Sequence, residues 1–170
     1  MKARSMLAGL AALAFAATAS VSARADEFVT VLSGGTSGVY YPLGAALAKI
    51  FGEKIPGARP TVQATKASVE NLNLLQQGKG EIAFSLGDSL AAAWKGEEEA
   101  GFKKKLDKLR GVTAIYSNYI QIVAAKDSGI TTLADLKGKR LSVGAPKSGT
   151  ELNARAILAA AGLSYSDLGK

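Results

Sequence analysis

The chain has 170 residues, enough for one domain and part of a second at about 100–150 residues each. Hydrophobic residues make up 48% and charged residues 21%, so a packed core is within reach and intrinsic disorder is excluded. Cysteine and histidine are both absent, which removes disulfide frameworks, thiolate and imidazole metal sites, Cys nucleophiles and His-based acid–base catalysis.

Residues 1–25 read as an export signal. Lys2 and Arg4 give a basic start, Met6 to Ala19 is an Ala- and Leu-rich run, and Ala23-Arg24-Ala25 supplies small residues before a cut at Asp26. The apolar run falls short of the roughly 20 residues a membrane span needs. Removing the segment takes away Lys2, Arg4 and Arg24 and no acid, which lowers the net charge from +7 to +4. Much of the remaining excess lies in Lys103, Lys104, Lys105, Lys108 and Arg110, beside Glu97, Glu98 and Glu99. Mixed signs predict a solvated helix face. Only Phe102 lies inside the block, so the aromatic interleaving of a nucleic-acid surface is missing, and no nucleic-acid partner is expected.

In chain order, Phe28–Leu32 predicts a strand ending in Ser33-Gly34-Gly35-Thr36-Ser37-Gly38. A helix from about Tyr40 to Phe51 follows, with Pro42 in its first turn. Thr61–Thr65 predicts a second strand, and Ser68 opens a helix that Gly78 ends, with Ser68 a candidate N-cap. Glu81–Ser85 predicts a third strand, and Gly87-Asp88 leads into a short helix over Leu90–Trp94. Gly111–Tyr116 and Tyr119–Ala125 predict a long, nearly continuous strand region. Asp135–Gly138 is a helix turn, Arg140–Gly144 a further strand, and Gly149 to Ala161 a helix closed by Gly162. The alternation predicts an α/β fold: a parallel sheet with helices on both faces, and ligands at the carboxyl ends of the strands.

Three strand-to-helix loops carry candidate chemistry. In the first, three glycines allow positive φ and close backbone approach, and the following helix start favours an anion. An ordinary tight turn explains the same residues. The second, Thr65–Asn71, lies at the same sheet edge. The third, Gly144–Thr150, has the G-x-x-x-x-G of a phosphate loop, but Thr150 and Glu151 stand where Lys and Ser/Thr belong, which argues against an NTPase. Asp88 either caps its helix or meets a ligand amine or cation. Trp94, Tyr116 and Tyr119 are expected in the core or at a rim, and Tyr40 and Tyr41 at the ligand-facing turn.

Leu32–Gly44 (LSGGTSGVYYPLG), Thr65–Leu72 (TKASVENL), Gly80–Asp88 (GEIAFSLGD), Leu133–Gly144 (LADLKGKRLSVG) and Ser148–Thr150 (SGT) resemble the TAXI family. These are the extracytoplasmic solute receptors of tripartite ATP-independent periplasmic (TRAP) transporters. The resemblance runs in order through residues 28–165. It implies a two-lobed fold like that of type II periplasmic binding proteins. It also implies capture of a small organic acid (a dicarboxylate, a 2-oxoacid or a glutamate-like acid) and delivery to an ion-coupled permease.

By position, the ligand contacts it implies are Gly35, Thr36, Tyr40, Ser68, Asn71 and Asp88, with Ser148, Gly149 and Thr150 from the second lobe. The implied receptor is a periplasmic monomer without enzyme activity, catalytic residues, metal or cofactor. Residues 26–120 would form most of the first lobe, and 121–170 the hinge strand and start of the second. A truncated receptor that binds its ligand weakly is therefore expected. Two alternatives stay open: the binding protein of an ABC importer, and a secreted enzyme. The enzyme would lack both a G-x-S-x-G elbow and a His base, with Lys147–Ser148 its only Ser–Lys adjacency in a loop.

Overall fold

The computed structural model describes residues 26–169, so residues 1–25, expected from the sequence to be an export signal, lie outside it. Three strands form a parallel sheet in the order β2-β1-β3: β1 (Glu27–Leu32), β2 (Ala58–Gln63) and β3 (Ile82–Ala83). The helices are α1 (Tyr40–Lys54), α2 (Ser68–Gln76), α3 (Gly87–Lys95) and α4 (Gly149–Ala160). Short 3₁₀ turns occupy Glu98–Ala100, Ala134–Leu136 and Tyr165–Asp167.

Topology follows from the handedness of parallel crossovers. The chain moves from β1 outward to β2, then back across β1 to β3. Both crossovers being right-handed places α1 on one face of the sheet and α2 on the other. On the α1 face, Gly44 lies against Val31, Val62 and Phe84, and a Cβ there would stand 3.4 Å from both valines. On the opposite side, α2 and α3 share the main hydrophobic cluster: Val69, Leu72, Ala92, Ala93, Phe102, Leu106 and Leu109. That cluster contains no strand residue, and three of its members come from the Lys-rich block.

The Lys-rich block is not the helix its charge pattern predicts. Lys103, Lys104, Lys105 and Lys108 are exposed, as expected, but Phe102, Leu106 and Leu109 are buried on an irregular segment. Glycine explains the change of course. Gly96 (φ +76°) ends α3 and Gly101 (φ +93°) ends the following turn, both in the left-handed region that disfavours other residues. A Cβ on Gly96 would also stand 2.5 Å from the Lys105 nitrogen, so the segment folds back against the end of α3 only with glycine there.

The strands predicted over Gly111–Tyr116, Tyr119–Ala125 and Arg140–Gly144 are not formed. Their β-branched and aromatic content is real, but a strand exists only with a hydrogen-bonded neighbour. Among the described residues the sheet stops at β3 on one side and β2 on the other. Residues 111–125 run exposed, with Val112, Tyr119 and Val123 each at least three-quarters accessible. The third predicted strand shrinks to Ile82–Ala83 for the same reason: only Val31 and Leu32 pair with it.

Candidate functional site

Parallel strands send all three following loops to one edge. α1 leaves β1 toward one face of the sheet, while α3 leaves the adjacent β3 toward the other. Neighbouring strands whose helices diverge in this way leave a crevice beyond their carboxyl ends. A cavity of about 650 Å³ lies there. Its walls include Tyr40 from the β1 side, Ser85, Leu86, Gly87, Asp88 and Leu90 from the β3 side, and the extended residues Gly111–Tyr116 and Asn118.

Tyr40 is the best-defined wall. Its ring stacks on Phe84 with centroids 5.2 Å apart and planes at 23°. Burial pushes its phenol up to about 12, with Tyr116 and Asp88 adding to the effect, so the hydroxyl stays neutral and can both donate and accept. Asp88 is exposed in the first turn of α3, and its Oδ1 accepts from its neighbour Ser89 N at 2.6 Å. It is the sole charged residue in the cavity wall, and no ion pair engages it among the described residues. The N-cap residues of α1, α2 and α3 make no side-chain cap. Asp88 Oδ1 takes Ser89 N in α3 and Lys147 O takes Glu70 N in α2, so among the described residues the start of α1 is the one that keeps backbone N–H capacity for an acceptor at this edge.

The glycine loop works differently from its predicted role. None of Gly34, Gly35 and Gly38 adopts positive φ. A Cβ on Gly35 would meet nothing within 4 Å, one on Gly38 would stand 3.3 Å from Gly35 O, and Gly38 N donates to Gly35 O at 2.9 Å in a tight turn. Gly35 and Thr36 are exposed in this turn, just before α1.

Ser68 and Asn71 sit beneath the loops. Ser68 is buried and opens α2 as its first helical residue, so it is not the N-cap its position suggested; Ala67 holds that place. Its Oγ instead accepts from Leu86 N at 3.1 Å. Asn71 is fully buried. Its Nδ2 donates to Ser33 O (2.7 Å) and Phe84 O (2.9 Å), and its Oδ1 accepts from Thr65 Oγ1 (2.6 Å).

Ala67 has φ +73° and ψ −145°, a region that glycine alone adopts easily. Thr65 Oγ1 accepts the Ala67 N–H at 3.0 Å and holds it there.

The Ser148-Gly149-Thr150 turn packs against the second loop instead of lining the cavity. Ser148 Oγ accepts from Glu151 N at 3.1 Å and caps α4. A Cβ on Gly149 would stand 2.6 Å from Leu86 Cδ1, 2.7 Å from Ser68 Oγ and 3.0 Å from Ser89 Oγ. Thr150 is exposed. Of the nine candidates, the structure therefore brings Tyr40 and Asp88 into the cavity wall. It leaves Gly35 and Thr36 on the preceding turn, Ser68, Asn71, Ser148 and Gly149 in the packing behind it, and Thr150 exposed in the first turn of α4.

Phe84, Ser85 and Tyr116 belong to the same site. Ser85 occupies the strand-to-helix position that singled out Asp88, so position alone could have found it. Tyr116, expected in the core or at a rim, is half-exposed in the cavity wall, and no periodicity signals that place, because residues 111–118 form no regular element. Trp94 and Tyr119 are more than half exposed, so neither is a core residue.

A second cavity, of about 670 Å³, lies between α3, α4 and the turn at Ser164–Tyr165. One of its walls is a closed polar cluster. Arg155 donates to both Glu151 oxygens (3.0 and 2.7 Å) and to Glu99 O (2.7 Å), while Tyr165 Oη donates to Glu151 Oε1 (2.6 Å). The Arg155 guanidinium draws the Glu151 carboxyl below its ordinary range. Burial, then the Glu151 bond, push the Tyr165 phenol up to about 12. These groups satisfy one another, whereas in the sheet-edge cavity the exposed Asp88 carboxylate bonds only to its neighbour Ser89. The sheet-edge cavity is therefore the candidate site.

No described helix is long and apolar enough to cross a membrane, and among the described residues no cluster of acidic side chains could hold a metal ion. The model of the NMT1-like family matches residues 31–170, which takes in every strand-to-helix loop described above. The chain belongs to the NMT1-like family, periplasmic solute-binding proteins related to the receptors of TRAP and ABC transporters.

Proposed function

We propose that this protein is an extracytoplasmic receptor of the TAXI type, which captures a small organic acid at the sheet edge and presents it to a TRAP permease. One observation carries the reading: the cavity sits where the helices after β1 and β3 diverge, walled by Tyr40, Ser85 and Asp88. A ligand carboxylate is received by loop hydroxyls and N–H groups at the sheet edge, among them those at the start of α1, which lacks a side-chain cap. Tyr40 gives it an aromatic wall and a neutral hydroxyl. Asp88 would repel a second carboxylate placed beside it and attract an ammonium group. Among dicarboxylates, 2-oxoacids and glutamate-like acids, the last fits this wall best.

Residues 26–120 supply most of one lobe in this reading, and 121–170 begin the other. Ligand contacts to both lobes would favour the closed arrangement, which the membrane partner recognises. No bond of the ligand is made or broken. Calorimetric titration with succinate, 2-oxoglutarate and L-glutamate tests the reading, with NMR of the recovered acid. Saturable binding of an acid recovered unchanged supports it; no binding of any of the three, or a chemically altered acid, overturns it. An ATP-driven importer would use the same cleft. Acid uptake in vesicles carrying the candidate permease, driven by an ion gradient without ATP, separates the two.

A further inference from the structure

We propose that Asn71 is a positioning residue: its amide clamps the three loops of the sheet edge into one ligand-ready surface and does not itself touch ligand. The inference rests on the receptor reading above. Asn71 is fully buried and all its strong hydrogen-bonding capacity is spent inside the protein. One amide hydrogen goes to Ser33 O of the first loop (2.7 Å) and the other to Phe84 O, at the start of the loop between β3 and α3 (2.9 Å). Oδ1 accepts from Thr65 Oγ1 of the second loop at 2.6 Å. The same Thr65 hydroxyl accepts the N–H of Ala67, the residue in a glycine-only conformation. Thr65 N adds a bond to Gly34 O at 3.2 Å. A single side chain thus joins three segments that are distant in sequence but line one edge. Asparagine suits the place because it offers two donors and an acceptor in one plane.

The test is Asn71→Asp in the full chain, followed by amide hydrogen exchange (corrected for intrinsic rates) and acid titration between pH 5 and 9. An ionised carboxylate offers no hydrogen to either carbonyl; a protonated one offers a single hydrogen. At pH 8 and above we expect exchange at Gly34–Gly38 and Ser85–Gly87 to rise at least 10-fold, with the interior of α1 unchanged. Affinity for the acid that wild type binds falls at least 10-fold over the same range. Lowering the pH restores part of both, a profile the wild type lacks.

Unchanged loop exchange, or an equal loss in α1 with no pH dependence, overturns the proposal. Should N71D not fold, Thr65→Val is the second variant. It removes the hydroxyl bonded to Oδ1, and the same loops must exchange faster while α1 does not. If wild type binds none of succinate, 2-oxoglutarate and L-glutamate, the receptor reading fails, and the loop-exchange result still decides the clamp.

Discussion

Ala67 is the clearest case of a residue held against its preference. A side chain at φ +73° and ψ −145° costs about 1–3 kcal/mol, and a glycine there would give back part of that gain as chain entropy. We expect Ala67→Gly to raise stability by about 1 kcal/mol, read as a higher urea midpoint at unchanged slope. A lower midpoint would show that the conformation is not strained.

Glu151 gives a second test at this scale. Its folded carboxyl titrates below its ordinary range because Arg155 bonds it. Its stabilising effect is therefore complete above the unfolded value and lost as pH falls through the lowered folded value. Wild type should lose stability on acidification below about pH 4.5 more steeply than Glu151→Gln. Parallel pH profiles would contradict the assignment.

Elements in this chain are shaped by what they meet. Gly149 begins α4 where no Cβ fits between Leu86, Ser68 and Ser89. On helix propensity alone, Gly149→Ala would stabilise; the packing makes us expect a loss of about 1–3 kcal/mol in thermal unfolding, with faster exchange in α4. A gain would mean that α4 is not docked there. Phe102 lies in an irregular segment yet is fully buried in the main cluster. Phe102→Ala should cost about 3–5 kcal/mol, as at a regular core position, and chemical denaturation checks it.

The same contrast explains what could be read from the chain alone. All four helices and the first strand are legible, and the second strand in part (Ala58–Gln63 against the expected Thr61–Thr65), because apolar spacing and turn residues are local signals. The carboxyl edge is legible too, since three strand-to-helix loops in a parallel sheet must share it. What could not be read depends on partners distant in sequence. Residues 111–125 carry strand-forming side chains but have no strand beside them. Ser68 and Asn71 carry polar groups suited to a ligand, yet their hydrogen bonds run to loops met only in three dimensions. Tyr116 reaches the cavity from a segment without period.

For the whole molecule, the decisive feature is where the sheet places its open edge. Strand order β2-β1-β3 sends α1 and α3 to opposite faces, and the crevice between them holds the one exposed carboxylate and the one stacked tyrosine of the cavity wall. Membership of the NMT1-like family gives this geometry a class of use, solute binding outside the cytoplasm. The amide ¹H–¹⁵N correlation spectrum recorded during titration with L-glutamate, 2-oxoglutarate and succinate in turn tests the placement most directly. We expect one of these acids to shift the amides of Gly35–Tyr40, Ser85–Asp88 and Val112–Tyr116 in a saturable way, with L-glutamate giving the tightest curve. Shifts confined to the α3–α4 cavity around Arg155 and Tyr165, or none with any of the three acids, would contradict it.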